Sequence, residues 1–236
     1  DVCSSDLDSI GTESISLTLR AAQSDNRFFV KAQGRPWAIE HDFMESSFSS
    51  LYRGMHAFLS APRERRDLLL LQREPQTDHS LTLRGDYGVF NDLALRVKRA
   101  RDMFIIIGPP GTGKTSFGML YTVKEELLEP GSSVLLLSYT NRAVDEICSK
   151  LVQHGIDFVR IGNPFGCAEE YSGHLLSSLA RQSASVAGLR QTLAEARVFV
   201  GTTTSLNGSI ALLQLKQFSL AVIDEASQIL EPHLMG

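Results

Sequence analysis

Cysteine is scarce in this chain: Cys3, Cys148 and Cys167 are the full set, and no two form a CxxC pair. That excludes a disulfide-stapled secreted scaffold and a cysteine-based zinc site, and it points to a reducing, cytoplasmic setting. Long apolar runs are missing too. None approaches the ~20 residues of a membrane span, and no secretory leader pattern opens the chain. Excess charge of one sign is also absent: 23 Lys and Arg stand against 27 Asp and Glu, a formal net charge of -4. This argues against a histone-like polyanion binder but leaves room for a local basic groove, because net charge says little about one face. The six histidines show no metal-ligand spacing. The one tight cluster, Glu40-His41-Asp42, reads as a polar surface turn. No Ser/His/Asp or Cys/His arrangement, internal repeat or low-complexity tract stands out. An initiator Met is lacking as well. The opening "DVCSSDL", Asp1 to Leu7, resembles a translated sequencing-adapter tail, so residues 1–11 are expected to be a non-native or disordered tail.

With 236 residues, 43% of them hydrophobic, the chain can bury one substantial core and a smaller module. Residues 12–87 are expected to form a partial accessory module. The stretches "SISLTLRAAQ" and "RFFVKAQGRPWAIEHD" read as strands, and Phe48, Leu51, Met55 and Leu59 fall at helical spacing before Pro62. "RERRDLLLLQREP" follows as a short helix, then a polar linker. From residue 88 onward, apolar strands alternate with helical segments: "MFIIIG", "SVLLLSY", "DFVRIG", "RVFVGT" and "FSLAVID". Continuous apolar strands of this kind predict a parallel sheet covered on both faces, hence an α/β domain over 88–236. A polar helical insert is expected near 163–195. The basic run Lys98 to Arg101 reads as a solvated helix face.

The segment "GPPGTGKT" comprises Gly108, Pro109, Pro110, Gly111, Thr112, Gly113, Lys114 and Thr115, between a strand and a helix. That is the setting a phosphate-binding loop requires. Glycines let consecutive backbone N–H groups curl inward, and the helix dipole adds to the field. Lys114 would then reach the β- and γ-phosphates of ATP, and Thr115 would offer its hydroxyl to Mg²⁺. Near the far end, the apolar run Leu220 to Ile223 delivers Asp224 and Glu225. Such acids can be plain surface charges. Paired with the loop, Asp224 becomes a magnesium holder and Glu225 a base for water. The fold expected is a RecA-like P-loop NTPase domain.

Lys114 and Asp224 stand about 110 residues apart, longer than an AAA+ module usually allows, although an AAA+ remodelling ATPase and a nucleotide-dependent binding module without turnover remain alternatives. Between them, and at the second acid pair, lie "TNRAVD" (Thr140 to Asp145), "GTTTS" (Gly201 to Ser205) and "DEASQ" (Asp224 to Gln228). In that order the motifs resemble superfamily 1 helicases of the branch that includes the nonsense-mediated-decay helicase and senataxin, over about Phe90 to the last residue. The resemblance implies ATP and Mg²⁺ as cofactors, single-stranded DNA or RNA as partner, and a second RecA-like domain absent from this chain. It implies that Thr140 and Asn141, with Thr202 and Thr203, line the strand's groove; small donors read backbone without reading base. Capping of the next helix is the other reading of Thr140 and Asn141. Gln228 would sense the γ-phosphate side, or else be a solvated residue. Asn91 occupies the position where these helicases carry an adenine-holding Gln, and it is one methylene shorter. It contacts the base or caps a helix. Asp145 reads as structural.

Overall fold

In the computed structural model of the protein, residues 5–12, 14–19, 45–109, 111–209 and 211–235 are described. The chain divides into two compact units, Asp1–Ser49 and Ser50–Gly236. In the first, β1 (Ser5–Ile10) pairs antiparallel with β2 (Ile15–Leu19), Leu7 opposite Leu17. The second strand agrees with the expectation for "SISLTLRAAQ". The first lies within residues expected to stand outside any fold, and its alternation suits a hairpin. The expected strand "RFFVKAQGRPWAIEHD", with its Glu40-His41-Asp42 turn, lies outside the described residues.

Helix α1 (Glu45–Ser60) ends ahead of Pro62, and α2 (Arg63–Leu69) follows it directly. Proline lacks the N–H a helix interior needs but is tolerated at a helix start. The polar linker after α2 is tied down rather than loose. Arg73 grips Asp102 through both guanidinium nitrogens at 2.8 and 3.0 Å, and Arg101 N–H donates to the Gln76 carbonyl at 2.9 Å.

The larger unit is built on a four-stranded parallel sheet in the order β4-β5-β3-β6: β3 is Val134–Ser138, β4 Val159–Ile161, β5 Val198–Thr202 and β6 Leu220–Ile223. Every residue of β3, β4 and β5 is buried, which is why these strands are mostly apolar, with Arg160 of β4 the charged exception. The pleat still sorts them. Val134 and Leu136 join Val144, Ile147 and Leu151 of α5 (Asn141–Gln153) and Val123 of α4 (Leu120–Leu127) in one core. Leu135 and Leu137 point the other way, toward Phe199, toward Leu193 of α7 (Val186–Glu195) and toward Leu212 of α9 (Ala211–Leu215). This is the sheet covered on both faces that the alternation predicts.

The insert consists of single helical turns at Pro164–Gly166 and Glu169–His174, then α6 (Leu176–Gln182) and α7. One expected strand is not in the sheet. Residues 103–108, "MFIIIG", carry no ladder, and Ile105 and Ile107 are 68% and 92% exposed. Apolar content supplies strand propensity, but a strand also needs a neighbour to accept its hydrogen bonds, and the described sheet ends at β6.

Candidate nucleotide site

The loop after residue 107 turns on two glycines, Gly111 at φ +80° and Gly113 at φ +82°, backbone that only glycine adopts freely. A β-carbon at Gly113 would also meet the Phe117 ring at 2.5 Å, so the loop and the helix behind it leave no room for a side chain. Thr112 Oγ1 donates to the Pro109 carbonyl at 2.8 Å and braces the turn. Lys114 Nζ donates to the Gly108 carbonyl and, at 2.9 Å, to that of Pro109, which holds the ammonium across the loop's first turn. Pro110 lies outside the described residues.

Behind the loop the backbone enters a wide π turn, Lys114–Met119, where the Gly118 N–H reaches the Gly113 carbonyl at 3.1 Å, before α4 begins. Such turns recur at functional sites because they widen a helix locally. Phe117 and Tyr121 on this stretch stack with Phe90 and Tyr87, ring centroids 5.1 to 5.9 Å apart. The aromatic cluster fastens the loop's helix to the turn ahead of α3 (Asn91–Arg99).

A buried carboxylate locks the same joint. Glu125 on α4, 3% exposed, accepts from the Arg84 and Gly85 N–H groups at 2.9 and 3.0 Å, from the Tyr87 hydroxyl at 2.8 Å and from Lys98 Nζ at 2.5 Å. Burial pushes its carboxyl up, but the donors, Lys98 foremost, outweigh that and hold it at about 2. Lys98 therefore does not belong to a solvated face, as its basic run suggests; its side chain is 11% exposed and also pairs with Glu129.

Asn91 sits beside an open cavity of about 310 Å³ lined by Leu83, Gly85, Asp86 and Leu95 among others. Its Oδ1 accepts from Tyr87 N–H at 2.7 Å and its Nδ2 donates to Asp86 at 2.8 Å. Each end of the amide thus has a partner within the turn.

Across the sheet edge, β6 ends where its geometry predicts a ligand, at the carboxyl end of a parallel strand. Asp224 N–H donates to the Leu137 carbonyl at 2.8 Å, and Asp224 Oδ2 accepts from Thr115 Oγ1 at 3.0 Å. A hydroxyl and a carboxylate are hard oxygen donors of the kind Mg²⁺ takes beside phosphates and water. Glu225 follows at φ +53°, left-handed backbone uncommon for a side chain with a β-carbon. Gln228 Nε2 donates to Glu225 Oε2 at 3.1 Å, so the acid and the expected sensor are neighbours.

The other expected contacts divide by exposure. Thr140 and Asn141 are exposed, and Thr140 Oγ1 also accepts from Ala143 N–H at 3.2 Å as the cap of α5. Thr202 and Thr203 are buried, 6% and 4% exposed, and the Thr202 hydroxyl is engaged with Ser205. The exposed residue of that run is Thr204. Asp145 pairs with Arg160, a fully buried arginine in β4 that also donates to the Gly166 carbonyl at 3.0 Å. Arg160 and Glu125 went unremarked at the level of sequence. An arginine inside an apolar strand is a signal in itself, since a buried charge must find a partner.

A glycine-rich loop, an Asp-Glu strand end bonded back to it, and a parallel sheet with helices on both faces are the features of a RecA-like P-loop domain. A family profile described as an AAA domain matches residues 91–187. The chain is 33% identical over 213 residues to the DNA replication ATP-dependent helicase/nuclease JHS1 of Arabidopsis thaliana, an alignment covering 85% of this chain and 16% of that protein. It is 30% identical over 191 residues to the DNA replication ATP-dependent helicase/nuclease DNA2 of Bos taurus, covering 75% of this chain and 18% of the relative. The human DNA2 protein aligns at 33% over 142 residues, 60% of this chain and 13% of the relative. The chain thus spans less than a fifth of the length of these relatives. The resemblance to superfamily 1 helicases holds at the level of the superfamily. Among the described residues no helix is long and apolar enough to cross a membrane.

Proposed function

We propose that this chain is the ATP-binding half of an ATP-dependent DNA helicase or translocase, and that it binds Mg²⁺-ATP and a single strand. The observation that carries the reading is the Thr115 to Asp224 hydrogen bond, which joins the phosphate loop to the acid strand. In this reading the N–H groups of Gly111 to Lys114 and the Lys114 ammonium neutralise the phosphates. Thr115 and Asp224 would hold Mg²⁺, which when bound would supply positive charge beside the phosphates. Glu225 takes a proton from water, and Gln228, bonded to it, reports the state of the γ-phosphate side to the strand groove. Asn91 shapes the turn beside the loop and offers the base only what its two internal bonds leave over.

The strand groove follows the carboxyl ends of β3 and β5, with Thr140, Asn141 and Thr204 presented to phosphates, and with Thr202 and Thr203 shaping that rim from within. The relatives are named for DNA replication, which favours DNA over RNA. Their printed helicase names favour this reading over a remodelling ATPase. A second RecA-like domain in the parent chain would complete the ATP site.

The test is equilibrium binding of a fluorescent ATP analogue and of a labelled single strand to this chain, with the Thr115→Val variant alongside. Magnesium-dependent nucleotide affinity that the variant loses supports the assignment. Affinity indifferent to both magnesium and Thr115 removes it.

A further inference from the structure

The four parallel strands end in a row, and one of those ends bears an aromatic that nothing above uses. After β4 the chain makes a single turn, Pro164–Gly166, at whose centre Phe165 is 89% exposed. The turn is rigidly held. Asn163 Oδ1 accepts from Phe165 N–H at 3.0 Å, and the Gly166 N–H returns to the Asn163 carbonyl at 3.0 Å. From beneath, buried Arg160 donates to the Gly166 carbonyl at 3.0 Å while pairing with Asp145 of α5. Asp145 also receives the Ala168 N–H at 3.5 Å. The buried ion pair thus fixes this turn to the start of α5, where Thr140 and Asn141 lie.

The approach is close. A β-carbon on Gly166 would stand 2.5 Å from Asn141 Nδ2, so the turn lies directly against that amide. Phe165 is the next residue along, Tyr139 is 52% exposed two residues before Asn141, and the Arg142 side chain is 91% exposed just after it. A solvent-facing ring, a small amide donor and an exposed guanidinium, loosely paired with Glu146 at 3.6 Å, therefore share one rim. That is the combination a single strand recognises: donors for phosphate, and a flat face for a base.

We infer that Phe165 is a base-stacking platform for single-stranded DNA, set beside the phosphate contact at Asn141. The inference deepens the strand-binding reading above and rests on it. Stacking tolerates any base, because each presents a π face, so Phe165 adds affinity without sequence preference. Rigid support of the backbone matters as well, since a turn already held in place loses little freedom on binding.

The experiment measures fluorescence anisotropy of this chain with a short labelled oligothymidylate and with an abasic strand of equal length. Phe165→Leu and Phe165→Trp are compared with the parent sequence. Because Phe165 is exposed, neither substitution disturbs the core, and unchanged Mg²⁺-ATP binding checks the fold. Phe165→Leu should weaken oligothymidylate binding about tenfold and leave the abasic strand unaffected, and Phe165→Trp should restore it. Equal oligothymidylate affinity in Phe165→Leu, or an equal loss on the abasic strand, overturns the stacking role while the strand-binding reading stands. Failure of the unsubstituted chain to bind either strand overturns both.

Discussion

Thr115 Oγ1 donates to Asp224 Oδ2 at 3.0 Å across 109 residues of sequence. This one bond joins the start of the loop's helix to the end of β6, and it brings together the two oxygen ligands that Mg²⁺ would need. Replacing Asp224 with Asn keeps the shape but removes the charge. Nucleotide affinity in Asp224→Asn should lose its dependence on magnesium, read as superimposed titrations with the metal and with a chelator.

Glu225 and Gln228 form a pair whose acid sits in left-handed backbone. If Glu225 is the base proposed above, Glu225→Gln should retain ATP binding and lose hydrolysis by roughly 10²- to 10⁴-fold, the usual worth of a positioned base. Single-turnover hydrolysis measures this directly. Turnover at the parent rate would remove Glu225 from the chemistry.

Glu125 makes stability depend on acid. Its carboxyl is held at about 2, below the ordinary 4.5, because four donors outweigh its burial. A depressed value in the folded state means the stabilisation is complete above the unfolded value and is lost as pH falls through the folded one. The gap in melting temperature between the parent sequence and Glu125→Gln should therefore be full near neutrality and shrink from about pH 4.5 down toward 2. A gap that stays constant over that window would show that the carboxylate's charge is not what the donors hold.

The Asp145–Arg160 pair predicts a cost of removal. Asp145→Ala leaves a fully buried guanidinium without its acid, and breaking such pairs costs about 3 to 5 kcal/mol. Urea unfolding should show that loss, and the double replacement Asp145→Leu with Arg160→Met should recover part of it.

The glycine loop and the acid pair stand out in the sequence because the chemistry proposed for them restricts residue type at adjacent positions. Gly111 and Gly113 need left-handed backbone, and Lys114 and Thr115 must follow at once. The sheet was legible for a similar reason, since strands buried on both faces are largely apolar. What escaped depends on distant partners. Lys98 reads as solvent-facing until Glu125, 27 residues on, closes over it. Thr202 and Thr203 look like groove residues, yet the first caps α8 (Thr203–Asn207) and both turn inward, leaving Thr204 outside. The run at 103–108 has strand composition, but whether it joins a ladder depends on what lies beside it.

If the glycine loop holds the phosphates of ATP, Lys114 supplies the strongest single contact. An ammonium hydrogen-bonded to phosphate is worth about 1.5 to 3 kcal/mol. Equilibrium binding of Mg²⁺-ATP to the unsubstituted chain and to Lys114→Ala should therefore differ by roughly 10- to 100-fold, with melting curves unchanged in the absence of nucleotide. Equal affinities would show that Lys114 and its loop do not hold the phosphates.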